Sequence, residues 1–256
     1  MIRGVLLDLA GVVYVGGAAL PGAIAAVERL RRAGLPLGFI TNTTRSPKRE
    51  IIARLTAMGL TVADSELTTP AQAARAWLHA MRRAPHLLIH PALAEDFQDL
   101  DDYPETAVVV GDAGAGFTYA AMNGAFRALM DGAGFLALAR NRTFRDADGA
   151  LSLDAGGFVA ALEYASDRQA VVVGKPSPDF YATAVAGLGV DAADAVMVGD
   201  DVEADVSGAL SAGLGAAILV RTGKYRDGAE AGAVPPPTAV MADLAEAADW
   251  ILRNRG

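Results

Sequence analysis

The sequence predicts an α/β protein, in which a parallel sheet is covered by helices on both faces and a second α/β domain is inserted. Short apolar runs typical of buried strands alternate with amphipathic helical segments, which is the pattern of βαβ units. The alternation is regular at both ends of the chain and changes in the middle, which predicts the insertion. The 256 residues, of which 52% are hydrophobic, are enough for one large domain or two modest ones.

The regular part begins with a strand at 2–9, followed by a helix from Pro21 that Gly34 ends. A second strand at 35–42 leads into a helix with Ser46 at its N-cap and Pro47 at its first position. After the middle region the rhythm returns with helices at 178–189, 205–213 and 243–254, and with strands at 195–201 and 216–220. These segments predict a Rossmann-like core of three layers.

The middle of the chain has its own strands and helices. The runs HLLIH, TAVVVGD and FLALAR read as strands, and FTYAAMNGAFRALMDG and GFVAALEYAS read as helices. We therefore assign 1–76 and 171–256 to the core domain and 77–170 to the inserted α/β domain.

Composition excludes several classes of function. The net charge of −8 argues against nucleic acid as a partner, although a local site in an acidic protein can still hold a small anion. The chain has no cysteine, which excludes disulfides and cysteine zinc sites. No signal peptide and no apolar stretch of about 18 residues is evident. We therefore expect a cytoplasmic protein without membrane contact.

Polar residues follow four of the predicted core strands. In open parallel sheets, ligands bind beyond the carboxyl ends of the strands, so these residues are expected to converge. Carboxylates and a lysine together suit a hard divalent cation and a phosphoryl group. The residues are Asp8, Thr41 with Asn42, Lys175, and Asp200 with Asp201.

Four segments around these residues resemble the ordered motifs of the haloacid dehalogenase (HAD) superfamily. They are DLAGVVY, FITNTT, VVGKPSP and MVGDDVEAD, and the insertion resembles that superfamily's type-two cap. Segments such as LIHPALAEDF, ALEYA and VRTGKYR extend the resemblance to the branch that contains phospholysine phosphohistidine inorganic pyrophosphate phosphatase.

The resemblance implies a Mg²⁺-dependent phosphatase that forms an aspartyl-phosphate. Asp8 would be the nucleophile. Mg²⁺ would be bound by Asp8, Asp200 and the backbone carbonyl of Ala10. Asp201 and Asp205 would stabilise these ligands without binding the metal themselves.

The same resemblance implies a phosphate-binding set. Thr41 and the backbone of Asn42 would hold phosphoryl oxygens, and Lys175 would neutralise charge between the nucleophile and the phosphate. Arg45 and Asn141 are further candidates for substrate contact. The expected substrate is a small phosphorylated compound or a phospho-amino acid, and a homodimer is compatible with this kind of cap.

Each of these residues also has a purely structural interpretation. An acid after a strand can bind turn N–H groups, and a lysine before proline can be a surface residue. Asp200, Asp201 and Asp205 can be solvated acids at a helix start, where the helix dipole favours them. For Asp201 both interpretations stay open. The glycine-rich segment at 111–116 lacks G-x-G-x-x-G spacing, and we interpret it as a loop.

Ala10 departs from the superfamily pattern. Most phosphatases of the superfamily have an aspartate there, which protonates the leaving oxygen and later activates water. We therefore expect substrates with good leaving groups, such as pyrophosphate or a phosphoramidate. The alternative is a weak or inactive protein that binds a phosphorylated ligand. A phosphonate-cleaving enzyme, which also has alanine there, is disfavoured because no lysine and no room for a cap lie between Gly16 and Phe39.

Overall fold

The computed structural model of the chain describes residues 1–100, 102–145 and 150–255. Within it the chain forms two compact units. The first unit consists of Met1–Thr41, Ile52–Thr68 and the chain from Lys175 onward, and the second consists of Asn42–Ile51 and Thr69–Gly174. The domain boundaries drawn from the sequence, before 77 and after 170, stay a prediction.

Strands and helices alternate along the described residues. The strands are β1 (Gly4–Asp8), β2 (Tyr14–Val15), β3 (Ala18–Ala19), β4 (Leu37–Ile40), β5 (Leu67–Thr68), β6 (Arg83–Leu88), β7 (Glu105–Val110), β8 (Gly134–Ala137), β9 (Thr143–Arg145), β10 (Leu151–Leu153), β11 (Val171–Val172), β12 (Ala195–Gly199), β13 (Ala216–Val220) and β14 (Ala239–Met241). The helices are α1 (Ala23–Arg32), α2 (Lys48–Ala57), α3 (Pro70–Met81), α4 (Tyr119–Met130), α5 (Ala155–Ser166), α6 (Pro178–Leu188), α7 (Gly208–Ser211) and α8 (Leu244–Asn254).

The first unit contains a six-stranded parallel sheet in the order β14-β13-β12-β1-β4-β5. The central strand β1 is buried along its whole length, as expected for a strand covered on both faces. Its register aligns Leu7 with Val198 of β12 and with Phe39 of β4. This register brings the carboxyl ends of the three central strands to one edge, as the sequence predicts.

Two predicted helix starts differ from the structure. The helix α1 begins at Ala23 rather than at Pro21, because Gly22 takes a left-handed conformation with φ of 75° and serves as the N-cap. The helix α2 begins at Lys48, one residue after the proline that we expected at its first position. The segment at 205–213 is also divided: Val202–Ser207 is π-helical, and α7 follows it.

The second unit contains a four-stranded parallel sheet in the order β11-β8-β7-β6. Alternate residues of β7 face opposite sides, which is the period-two pattern of a strand. Val108 and Val110 belong to a core with residues of α4 and α5, whereas Ala107 and Val109 belong to a core with residues of α3. A separate hairpin pairs β9 with β10. The predicted α/β insertion is therefore present, although its residues 146–149 lie outside the described part of the chain.

None of the helices in the described part of the chain is long and apolar enough to cross a membrane.

Candidate active site

Three buried carboxylates lie together at the carboxyl edge of the first unit's sheet. Asp8 is the last residue of β1, and Asp200 directly follows β12. Asp205 lies in the π-helical segment after it. One carboxylate oxygen from each of the three residues lies within 4.8 Å of the others. Residues that are nearly 200 positions apart in the sequence are thus gathered by the parallel register of β1 and β12.

Lys175 bridges two of these carboxylates. Its Nζ donates hydrogen bonds to Oδ1 of Asp8 and to Oδ1 of Asp205, each at 2.6 Å. The lysine is only 3% exposed. Burial alone would lower its pKa, but the charges of Asp205 and Asp8 prevail and hold the pKa well above its usual value. The ammonium group therefore stays charged beside Asp8.

Asp205 is the second carboxylate that bonds Lys175. Its Oδ2 accepts a hydrogen bond from the backbone N–H of Asp201, at 3.1 Å. Its carboxylate also packs against Gly199, where any Cβ would overlap it. The hydroxyl of the buried Tyr181 donates to the carbonyl of Ala204, at 2.5 Å, and so fixes the turn before Asp205. Burial raises the pKa of Asp205 to about 6, although the Lys175 ammonium opposes that rise.

Asp200 lies in a crowded and negatively charged environment. Burial, followed by the charge of Asp8, raises its pKa to about 8. The backbone N–H of Lys224 donates to Oδ2 of Asp200, at 2.6 Å, and partly offsets this effect. Sequence reasoning did not identify Lys224 as a neighbour of the site. The only indication of it in the sequence was its place in the VRTGKYR segment.

Asp201 caps the turn that follows it. Its Oδ1 accepts hydrogen bonds from the backbone N–H groups of Glu203 and Ala204. Its Oδ2 lies 3.4 Å from Nζ of Lys224. Burial would raise the pKa of Asp201, but the charge of Lys224 and the turn N–H groups lower it overall. This geometry corresponds to the structural interpretation of Asp201, and its support of a metal stays a prediction.

Two more predicted residues lie next to the strand ends of the first unit. Thr41 directly follows β4 and is buried. Ala10 lies two residues beyond the end of β1 and is exposed. The next residue, Gly11, donates its N–H to the carbonyl of Tyr14, at 2.7 Å, which closes the turn after β1. The binding roles of Thr41 and of the Ala10 carbonyl stay predictions.

The other three predicted residues belong to the second unit. The Nε of Arg45 donates to Oδ2 of Asp112, at 2.5 Å, and its guanidinium lies 4.6 Å from the centre of the Phe144 ring. The backbone carbonyl of Asn141 accepts from the N–H of Gly156 at the start of α5. Contact of Asn42, Arg45 or Asn141 with a substrate stays a prediction.

A divalent cation fits the carboxylate cluster. Asp8, Asp200 and Asp205 carry three negative charges when ionised, against the single positive charge of Lys175, and all four side chains are buried. Burial is the main cause of the raised pKa of Asp200, and the charges of Asp8 and Asp205 add to it. Carboxylate oxygens are ligands that Mg²⁺ and Ca²⁺ prefer. A cation held by Asp8 and Asp200 would remove the repulsion between these two residues.

Comparisons with known proteins give the family. The haloacid dehalogenase-like hydrolase family matches residues 5–101, and the HAD-hydrolase-like family matches residues 172–247. The phospholysine phosphohistidine inorganic pyrophosphate phosphatase of Rattus norvegicus is 41% identical over 259 residues, which cover 99% of this chain and 95% of that protein.

Solved structures of phosphatases are similar over nearly all of this chain. The p-nitrophenyl phosphatase from Archaeoglobus fulgidus matches with a TM-score of 0.88 and 25% identity, covering 97% of this chain and 99% of that one. A glycerol phosphate phosphatase from Mycobacterium tuberculosis, solved in complex with magnesium, matches with a TM-score of 0.82 and 29% identity. That match covers 96% of this chain and 76% of the other.

These similarities confirm the predicted superfamily, its α/β fold and an enzyme of the phosphohydrolase type. The identity to the rat enzyme extends through the insertion, so it does not depend on the four motifs alone. The chain belongs to the haloacid dehalogenase-like hydrolases and is a phosphatase of that family.

Proposed function

We propose that this phosphatase is Mg²⁺-dependent, forms an aspartyl-phosphate on Asp8 and acts on small phosphorylated substrates with good leaving groups. The observation that carries the proposal is the buried Lys175, which bonds Asp8 and Asp205 at 2.6 Å beside the carboxylate of Asp200. A nucleophile, a fixed positive charge and a pair of metal-binding acids are the groups that phosphoryl transfer needs.

In the first step a carboxylate oxygen of Asp8 attacks phosphorus. The new O–P bond forms while the bond from phosphorus to the leaving group breaks, and the leaving group keeps the electron pair. Lys175, fixed by Asp205, supplies positive charge to the phosphoryl oxygens, and Thr41 donates a hydrogen bond to them. Mg²⁺ held by Asp8 and Asp200 would supply further positive charge to the same oxygens.

In the second step water attacks phosphorus and the Asp8 carboxylate leaves, which releases inorganic phosphate. The attacking water loses its protons to the solvent, because Ala10 offers no carboxylate to accept them. Asp205 and Asp8 hold the pKa of Lys175 high before the attack, so the lysine enters the first step charged. In the second step Asp205 and the negative phosphoryl group on Asp8 remain beside it.

Ala10 restricts the substrates through the first step. The methyl group of Ala10 cannot protonate a departing alkoxide. The alcohol part of an alkyl phosphate ester would therefore leave as an unprotonated alkoxide, which is a poor leaving group. The leaving group of pyrophosphate is inorganic phosphate, and that of a protonated phosphoramidate is a neutral amine. Neither leaving group needs a proton from the enzyme. The name of the rat relative, with pyrophosphate and two phosphoramidates among its substrates, supports this assignment.

Replacing Ala10 with aspartate should extend activity to alkyl esters. A positioned acid contributes typically about 10²–10⁴-fold, so we expect Ala10→Asp to raise kcat/KM for glycerol phosphate by at least about tenfold. Pyrophosphate hydrolysis should change much less. The assay is phosphate release from both substrates in the presence of Mg²⁺.

Ala10→Asn is the matched control, because asparagine has nearly the same shape and cannot transfer the proton. An equal gain in the asparagine variant would show that shape rather than acidity is responsible. A wild-type protein that already hydrolyses glycerol phosphate faster than pyrophosphate would refute the proposed substrate class.

A further inference from the structure

The loop that follows β13 contacts the site without belonging to any of its four motifs. It contains Thr222, Gly223 and Lys224, which lie in the VRTGKYR segment. None of these three residues is an acid, and the proposed reaction uses none of them. Its contacts are nevertheless directed at Asp200 and at the turn after Asp8.

The backbone of this loop holds one oxygen of Asp200. The N–H of Lys224 donates to Oδ2 of Asp200, at 2.6 Å. The donor is a main-chain group, so any residue except proline at position 224 would supply it. A short hydrogen bond to a buried carboxylate restricts the rotation of that carboxylate.

Two glycines lie against the same oxygen. Gly11, in the turn after β1, has a φ of +89°, and Gly223 has a φ of +61°. A Cβ on either residue would overlap Oδ2 of Asp200. The carboxylate therefore lies between two stretches of bare backbone, and the close approach requires glycine on both sides.

A hydrogen bond joins the two stretches. The hydroxyl of Thr222 donates to the carbonyl of Gly11. The loop after β13 is thereby tied to the turn after β1, which also carries Ala10. The orientation of Asp200 and the conformation of the Ala10–Gly11 turn are fixed by the same set of contacts.

We propose that Thr222, Gly223 and the backbone N–H of Lys224 are positioning residues that orient the Asp200 carboxylate for a divalent cation. The inference rests on the proposed function, because it takes Asp200 as a metal ligand. Partners that orient a metal-binding side chain typically contribute about 10–100-fold to metal affinity. The loop would act by fixing the ligand before the cation arrives.

The test compares two glycine substitutions. Gly223→Ala and Gly189→Ala each place a methyl group on a residue with a left-handed backbone, with φ of +61° and +67°. Only the methyl at 223 meets Asp200, whereas the Cβ at 189, at the end of α6, has no atom within 4 Å. The readout is the Kd for Mg²⁺ from isothermal titration of the metal-free protein, with Mg²⁺-dependent hydrolysis of pyrophosphate as a second readout.

We expect Gly223→Ala to raise the Kd for Mg²⁺ at least about tenfold, and Gly189→Ala to leave it within about twofold. If Gly223→Ala does not fold, the test compares Mg²⁺ binding in Thr222→Val and Thr222→Ser. Valine removes the hydrogen bond to Gly11 at nearly constant shape and should weaken Mg²⁺ binding, while serine should restore it. Equal Mg²⁺ affinity in Gly223→Ala and Gly189→Ala, or in Thr222→Val and wild type, would overturn the inference.

Asp200→Asn separates this inference from the function on which it rests. Loss of Mg²⁺ binding in Asp200→Asn, with no change in the loop variants, would leave the proposed function intact and refute the role of the loop. Unchanged Mg²⁺ binding in Asp200→Asn would refute both.

Discussion

Asp8→Asn should lower kcat for pyrophosphate hydrolysis by at least about 10⁴-fold, because removal of a nucleophile eliminates the covalent route. The protein should remain folded, since asparagine has nearly the same shape and Lys175 keeps its hydrogen bond to Asp205. Phosphate release under saturating Mg²⁺ measures the effect, and circular dichroism reports the fold.

Asp249→Asn is the matched control for this substitution. Asp249 lies on α8, where it pairs with Arg29 on the surface of the first unit. The same chemical change there should leave kcat within about twofold. A folded Asp8→Asn protein that retains a tenth or more of the wild-type rate would exclude Asp8 as the nucleophile.

Lys175→Met should be the most destabilising substitution in the site. Methionine fills a similar volume but leaves Asp8 and Asp205 as buried carboxylates without their shared cation. Removing one partner of a buried ion pair typically costs about 3–5 kcal/mol of unfolding free energy. Urea denaturation in the absence of metal measures this loss, and the activity should fall with it.

Lys224→Met provides the comparison. Its ammonium group lies 3.4 Å from the Asp201 carboxylate, and its side chain is 52% exposed. Solvent screens such a pair, so its loss should cost no more than about 1 kcal/mol. If the two lysine variants were equally stable, the bridge between Asp8 and Asp205 would contribute nothing to the fold.

The sequence was sufficient to predict that the ends of β1 and β12 meet at one edge. Asp8 ends β1 and Asp200 follows β12, and these two strands are parallel neighbours in one sheet, which brings their ends to one edge. Lys175 was expected to follow a strand of the same sheet, but the strand before it, β11, belongs to the sheet of the second unit. The structure places these three side chains together, with Asp205 added from the turn after Asp200. Strand direction and chain order determine the positions of Asp8 and Asp200, whereas those of Lys175 and Asp205 depend on the loop after β11 and on the π-helical turn after β12.

The contacts around Asp200 could not be predicted in the same way. They are made by the backbone N–H of Lys224 and by the bare backbone of Gly11 and Gly223, and backbone donors have no side-chain signature. A glycine in a sequence indicates a turn equally well whether or not a carboxylate packs on it. These contacts exist only where the loops after β1 and β13 lie side by side in the folded chain.

Arg45 illustrates a second limit. Substrate contact of Arg45 stays a prediction, and the structure shows a partner that the sequence did not indicate: its Nε donates to Oδ2 of Asp112, which lies 67 residues away. Asp112 belongs to the glycine-rich segment that the sequence identified as a loop, and its Oδ1 also accepts from Gly114 within that loop. Such a pair depends on tertiary packing within the second unit, to which no local pattern points.

The most direct test of the account is to trap the phosphorylated enzyme. The wild-type protein is mixed with ³²P-labelled pyrophosphate and Mg²⁺, quenched in acid during turnover and digested, and the labelled peptide is sequenced. We predict a label that is stable in acid, is released by hydroxylamine, lies on the peptide that contains Asp8 and is absent from Asp8→Asn. Turnover without a protein-bound label on Asp8, at quench times shorter than one catalytic cycle, would contradict the central claim.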